Sequence, residues 1–506
     1  MKLQPALIFG EHLVLQRNKP IPVWGNSVCD DEVSVCLNGV SKTVHTDNGK
    51  WYVEFEKMDA TFKTQMSISS KKTGEAINFN DIAIGEVWLA GGQSNMEFLL
   101  KYDIDYEEAK NLEDDHYLRC FTYPQTAYLG FMEKEILGEY GYWRSFEDKQ
   151  ERGMFSAVGA YMGKKLREQL NVPVGIISCN WGGTPAVAWI AKEDIESNQK
   201  LHTVLSWQEE AEKNINWSSY IKTSQEVLPE PTQAQKAFTY KFMMGEDMSE
   251  FFKAGPPPMD PNIYNSYSPG PLACIRPSGL YDMMLSKVAP YALSGFVWWQ
   301  GEDDDARDWV DFYDESMKTL IESWRKLWKQ DLPFFQIELA PFRGIGVTGA
   351  KKYDVLRHKQ FAATAALDNA YDICILDAGE EFNIHPRHKK IVGNRLANMV
   401  LKYAYGLDIN ADCPLIRDAN RTSNSIELYF DNTYGEIKIT DKIKKYLFVN
   451  DGENNLDYEI SVNKDILVLT GKFDNRVTIE YCETNYCEAS IFNAEGNPVF
   501  GFKVEI

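Results

Sequence analysis

The fold class this sequence predicts is α/β, flanked on both sides by β-rich units. Three observations predict it. Apolar runs of strand length alternate with helical segments over residues 81–405. Short β-rich runs, broken by glycine-containing turns, fill residues 1–80 and return over 406–506. And 506 residues are more than one hydrophobic core accommodates, which points to roughly three domains.

In the first unit the runs 20–25, 33–37, 42–46, 51–55 and 65–69 are separated by Asn38-Gly39 and Asp47-Asn48-Gly49. Dipeptides of this kind close hairpins, so the unit reads as a small antiparallel β-sandwich. Either it binds carbohydrate or it is a structural neighbour of the next domain. In the central region the strand candidates are 82–90, 174–179, 295–299, 334–339 and 372–376, and the helix candidates 157–169, 281–288, 312–328 and 390–403. Residues 195–275 interrupt this alternation. Within them 207–212 and 233–244 look helical, and Gly255-Pro256-Pro257-Pro258-Met259-Asp260-Pro261 is a stiff connector. Such an insertion is either a substrate-shaping lid or mere elaboration. The last hundred residues carry strand candidates 425–430, 434–439, 447–449, 465–470, 476–481 and 501–506, a second β-sandwich.

Composition narrows the partners. A net charge of -21 argues against a nucleic-acid backbone or an anionic membrane surface and favours a neutral or small ligand. Thirteen Trp and 26 Tyr leave aromatic side chains for a binding surface. No run of about 18 apolar residues occurs, so no membrane span is predicted. Residues 1–10 lack the pattern of a signal peptide, and nine scattered cysteines without a Cys-x-x-Cys pair read as reduced thiols. The expected location is cytoplasmic.

Ligands of α/β sheets sit beyond the carboxyl ends of the strands, so those ends hold the candidate chemistry. The first ends in Gly91-Gly92-Gln93-Ser94-Asn95-Met96-Glu97. A strand, a glycine turn, a serine and a helix start can present Ser94 as a nucleophile, with free N–H groups beyond it for an oxyanion. The alternative is that Ser94 only caps the helix. The second ends in Asn180-Trp181-Gly182-Gly183-Thr184, where glycines either bring N–H groups to a ligand or simply turn the chain. The third ends in Gln300-Gly301-Glu302-Asp303-Asp304-Asp305. Gln300 is a candidate oxyanion donor or ligand contact. The acids are either metal ligands or, more often, a solvated helix start. The last ends in Asp377-Ala378-Gly379-Glu380-Glu381-Phe382-Asn383-Ile384-His385-Pro386, holding two of the seven histidines with His388. His385 is a candidate general base, or else a capping or surface histidine.

Gly92-Gln93-Ser94-Asn95-Met96, Trp181-Gly182-Gly183-Thr184-Pro185, Trp298-Trp299-Gln300-Gly301-Glu302 and Ile384-His385-Pro386 stand in this order. So do Leu13-Val14-Leu15-Gln16-Arg17, Leu280-Tyr281-Asp282-Met283-Met284 and Ile491-Phe492-Asn493-Ala494-Glu495-Gly496-Asn497-Pro498. Together they resemble the sialate O-acetylesterase family of SGNH hydrolases, carbohydrate esterases, over almost the whole chain. The resemblance implies an SGNH-type three-layer domain and a serine esterase that removes acetyl groups from sugar hydroxyls, without metal or other cofactor. It implies Ser94 as nucleophile, His385 as general base, and the Ser94 N–H, the Gly183 N–H and the Gln300 side chain as oxyanion hole. Gln93, Asn95, Trp181, Glu302 and Arg276 are the expected substrate contacts. The expected partner is an acetylated mono- or oligosaccharide, with homo-oligomerisation left open.

The chain departs from the family at the acid. The family often has Asp-Ile-His-Pro, whereas here Asn383 precedes Ile384, and Phe382 stands three residues before the histidine. Glu381 or Glu380 is the expected carboxylate, with a Ser–His dyad as the alternative. A non-catalytic carbohydrate-binding protein on the same fold, and an esterase for simple short-chain esters, are the competing readings.

Overall fold

A computed structural model describes residues 2–128, 140–213, 215–225, 233–246, 269–345, 348–422, 424–473 and 476–506. The connector 255–261 lies outside the described residues.

One strand, Ala76–Gly92, organises the molecule. Its first half belongs to the N-terminal unit, pairing antiparallel with Thr61–Ser70 and parallel with Val14–Gln16. Its second half is a central strand of the α/β sheet, parallel to Val174–Asn180 on one side and Gly295–Trp299 on the other. No break therefore falls near residue 80, where the change from alternating to continuous apolar residues places a boundary. The burial pattern records the same change: mixed up to Asp81, then unbroken burial from Ile82 to Gly92. A strand covered on both faces reads as a continuous apolar run.

The sheet runs Trp143–Ser145, Leu118–Thr122, Val174–Asn180, Ala76–Gly92, Gly295–Trp299, Phe334–Ile337, Ala370–Ile373. All neighbours are parallel except the antiparallel edge pair of Trp143–Ser145 with Leu118–Thr122. Those two edge strands are absent from the expected set. Helices cover both faces. Along the central strands successive side chains enter different cores: Leu89 and Trp298 face helix Tyr313–Trp328, through Leu320 and Trp324. Trp88, Ala90 and Trp299 face helices Ala157–Leu170 and Lys389–Tyr403, through Met162 and Leu396. The first strand in sequence lies between the third and the fourth parallel strands, so the strand order reverses at its carboxyl end. That crevice is where open α/β sheets hold ligands.

The C-terminal unit has a four-stranded antiparallel sheet, a three-stranded one and a two-stranded pair. They share a core of Ile426, Leu469, Ile479 and Phe502, which Cys374 and Leu376 of the preceding α/β loop also enter. Strands Leu415–Arg421, Tyr458–Asn463 and Ile491–Asn493 add to those the sequence predicts. Among the described residues no helix is long and apolar enough to cross a membrane.

Candidate active site

The serine turn forms because glycine is required there. Gly92 has φ +130°, and a Cβ on it would stand 2.1 Å from the Trp299 carbonyl oxygen. The close approach of the two strand ends, sealed by Gln93 N–H donating to Trp299 O at 3.0 Å, thus admits no side chain at 92. The chain then turns into the one-turn helix Ser94–Glu97. Its N-cap is Gln93, not Ser94, and no side chain caps it. The capping role open to Ser94 is therefore absent. The half-buried Ser94 hydroxyl makes no hydrogen bond to a described residue.

Gly182 lies directly on the serine. A Cβ there would stand 3.1 Å from Ser94 Cβ and 3.3 Å from Glu97 Oε2. The Trp181–Gly183 turn is fixed at both ends: Trp181 N–H donates to Gly92 O at 3.1 Å, and Gly182 N–H donates to Glu97 Oε2 at 2.7 Å. With Gly182 N–H committed to Glu97, the Gly183 N–H remains without a partner among the described residues, as the expected oxyanion role requires. Gly183 adopts φ +66°. Glu97 was not among the expected site residues, since an acid in a helix first turn is commonplace. Desolvation raises its carboxyl pKa, opposed by the hydrogen bonds from Gly182 and Gln125. Gly182→Ala is expected to displace the serine and lower kcat about 10–100-fold while Tm changes little, a split measured by steady-state kinetics beside thermal denaturation.

The histidine arrives from the sheet edge. Asn95, adjacent to Ser94, donates to the Ile384 carbonyl at 3.0 Å and so ties the serine helix to the residue before His385. The same amide nitrogen donates to Glu302 Oε1 at 2.5 Å, and Asn95 Oδ1 accepts from Lys389 Nζ at 2.5 Å. Asn95 and Glu302 are thus buried framework, not open substrate contacts. Lys389, fully buried, also lies 4.0 Å over the Trp299 ring. Burial lowers its pKa to about 7, against the pull of Glu302, Asp103 and Glu380. A lysine in the first turn of a helix opposes the helix dipole, and that anomaly was the sequence signal for it.

His385 is buried, and the Phe242 ring packs against it edge-to-face, centroids 5.4 Å apart at 89°. Phe242 belongs to helix Gln233–Met243 of the insertion, whose end also meets Arg387 Nη1 through the Met244 carbonyl at 3.0 Å. Burial first, and the Lys389 charge second, lower the His385 pKa to about 3. Its Nδ1 has no hydrogen-bond partner among the described residues. Neither expected carboxylate reaches the ring. Glu381 pairs with Arg343 Nη1 at 2.8 Å. Glu380 accepts Arg387 N–H at 2.6 Å and Asn383 Nδ2 at 3.1 Å, while Asn383 Oδ1 accepts His385 N–H at 3.0 Å. Both acids organise the loop rather than the imidazole. Glu381→Gln is accordingly expected to leave kcat within about twofold of wild type, where loss of a triad acid costs orders of magnitude; initial rates on one ester decide this.

Three further expectations change. Gln300 is wholly buried, and its amide donates to Thr184 O at 3.1 Å and Asp304 Oδ2 at 2.6 Å. Its Oε1 accepts Tyr313 Oη at 3.0 Å. Both N–H bonds are committed, so the side chain is no oxyanion donor. It instead anchors the turn after Trp181. The acids after Gly301 are not a solvated helix start: Glu302, Asp304 and Asp305 are buried. Asp304 accepts Ala186 N–H at 3.0 Å, Asp305 accepts Lys351 and Lys352 N–H at 2.8 and 2.7 Å, and Asp303 pairs with Arg307. Buried Gln93 caps this helix, accepting Asp303 N–H at 3.2 Å. Arg276 is spent on the backbone, donating to Ala127 O and, at 3.1 Å, to Ala273 O. It latches the loop that carries Gln125. Trp181 is buried beside the serine turn.

The chain resembles known esterases in both sequence and fold. A model of the carbohydrate esterase, sialic acid-specific acetylesterase family matches residues 263–402. The sialate O-acetylesterase of Homo sapiens is 23% identical over 437 residues, covering 79% of this chain and 71% of its own length. That of Rattus norvegicus is 24% identical over 440 residues, covering 79% and 73%. A carbohydrate acetylesterase from Xanthomonas citri shares the fold with a TM-score of 0.74 at 23% identity, covering 99% of both chains. The class is thereby defined as a hydrolase of carboxylic esters. Within that class, the family model and the curated relatives that this chain resembles are sialate O-acetylesterases.

Proposed function

We propose that the chain is a carbohydrate O-acetylesterase of SGNH type that cleaves acetyl esters on sugar hydroxyls through an acyl-serine, with its flanking units β-sandwiches. One observation carries the reading: at the point where strand order reverses, the Ser94 hydroxyl and the Gly183 N–H both lack a hydrogen-bond partner among the described residues, and Gly182 holds the turn against the serine. Ser94 Oγ attacks the acetyl carbonyl and passes its proton to His385. The Ser94 and Gly183 N–H groups receive the oxyanion, each worth roughly 3–4 kcal/mol of barrier. The protonated imidazole returns the proton to the departing sugar oxygen. Water then attacks the acyl-serine, again through His385, releasing acetate. With no carboxylate on His385 Nδ1 among the described residues, the pair is read as a Ser–His dyad whose loop is held by Glu380 and Asn383.

The same absence favours a second reading, carbohydrate binding without hydrolysis, because a neutral surrounding stabilises the imidazolium less than an acid does. Acetate release from acetylated xylo-oligosaccharides, acetylated manno-oligosaccharides and 9-O-acetyl sialic acid separates the two. Turnover of any of them supports the esterase and names its sugar. Binding of a glycan without release from any supports the second reading.

A further inference from the structure

In the first half of the long strand, three side chains from three segments converge: His12, Asp81 and His116. His12 Nδ1 lies 2.7 Å and His116 Nε2 2.9 Å from the same oxygen, Asp81 Oδ2. The three ligand atoms lie within 4.8 Å of one another. The imidazole rings stand 6.1 Å apart and 88° to each other, so their lone pairs can converge on one point.

In a neutral His116 ring, the contact of Nδ1 with Glu147 Oε2 at 2.5 Å favours the tautomer with its proton on Nδ1 and a lone pair on Nε2. That lone pair faces a carboxylate oxygen on one side and Arg119 Nη2, at 3.0 Å, on the other. Nε2 cannot serve an acceptor and a donor at once. A cation between Nε2, Oδ2 and His12 Nδ1 removes the conflict. Arg119 would yield only that one contact. It still donates to Asp81 Oδ1 at 2.9 Å, to His116 O at 2.9 Å, and to Leu13 O and Asp81 O at 3.4 and 3.3 Å. It thereby fixes the carboxylate from behind, as Glu147 fixes the imidazole.

We propose that His12, Asp81 and His116 form a structural binding site for a divalent cation of the zinc type. Two imidazoles and one carboxylate suit zinc, nickel or cobalt, and not calcium or magnesium, which take oxygen ligands. His12 and His116 are 43% and 32% exposed, which leaves the fourth position open to water. The cation joins the loop of the N-terminal unit to the start of the long strand and to the segment before Leu118–Thr122. Asp81 precedes Gly92 by a strand length of roughly 35 Å, so the site takes no part in ester chemistry and stands independently of it.

The test is calorimetric titration of the chelator-treated full chain with zinc chloride, with calcium chloride as control. Wild type is expected to bind one equivalent of zinc, with Tm raised by about 2 °C or more at saturation, and no calcium. His12→Gln and His116→Gln are each expected to weaken binding at least tenfold, and Glu147→Gln about tenfold. Glu147 and His12 are partly exposed, so their variants keep the fold, which circular dichroism checks. His358→Gln, remote from the cluster, leaves the affinity unchanged. Absence of a one-equivalent zinc site in wild type, or a site that survives both histidine substitutions, overturns the proposal and leaves the cluster an ion-pair clasp.

Discussion

Ser94→Ala is expected to abolish acetate release, lowering kcat on the order of 10⁴-fold or more, with the fold unchanged. The stability half follows from the structure. The hydroxyl makes no hydrogen bond to a described residue, and Ser94 is not the cap of its helix. Deleting one oxygen there leaves no orphaned partner, so the change in stability is within about 0.5 kcal/mol. The activity half follows from the proposed acyl transfer, because water cannot replace the oxygen that carries the acyl group. Steady-state rates beside a denaturation curve read both halves. A variant that retained wild-type release would remove Ser94 from the reaction, and one that lost activity and Tm together would make its role structural.

The sequence exposed the layout of the central sheet because burial leaves a local trace. The strand halves ending at Gly92, Asn180, Trp299 and Ile337 are buried without a break and mostly apolar, and each carboxyl end is marked by a glycine or a polar residue. The edge strands Leu118–Thr122 and Trp143–Ser145 left no such trace. They hold Arg119 and Arg144, whose burial depends on partners in other segments, Asp81 for Arg119 and Glu151 for Arg144. The same difference divides the site. Ser94, the glycine turn and His385 are legible because each sits at a strand end with unusual residues around it. Gln93, Asn95 and Glu302 stand out too, but as substrate contacts, and Gln300 as an oxyanion donor. Whether a polar side chain meets substrate or framework depends on which groups the fold brings to it. Asn95 is satisfied by Glu302, Ile384 and Lys389, from segments more than two hundred residues away. Conversely Glu97 looks like an ordinary helix residue, and Lys389 shows only as a lysine set against the helix dipole, until their partners are in place.

His385→Gln is expected to lower kcat about 10³–10⁴-fold, and the pH dependence of the wild type to identify the histidine that does it. Burial and the Lys389 charge hold the imidazole pKa near 3, below its ordinary value of 6.5. The general base is therefore deprotonated in the free enzyme throughout the mildly acidic range. As pH falls from 7 to 5, kcat/KM is expected to stay nearly level, whereas a histidine titrating at 6.5 would cost about thirtyfold at pH 5. Removing the charge should move this limb in a fixed direction. In Lys389→Met the repulsion is gone, so the acid limb is expected to rise toward 6.5, even where loss of the Asn95 contact also lowers the plateau. The stability consequence has the opposite sign from that of a salt-bridged histidine. Between pH 3 and 6.5 the unfolded chain binds a proton that the folded chain refuses, so this group's contribution is complete above 6.5 and declines as pH falls below it. Activity at pH 5 should thus outlast the margin of stability. A wild-type limb near 6.5, unmoved in Lys389→Met, would place the catalytic base outside this buried loop.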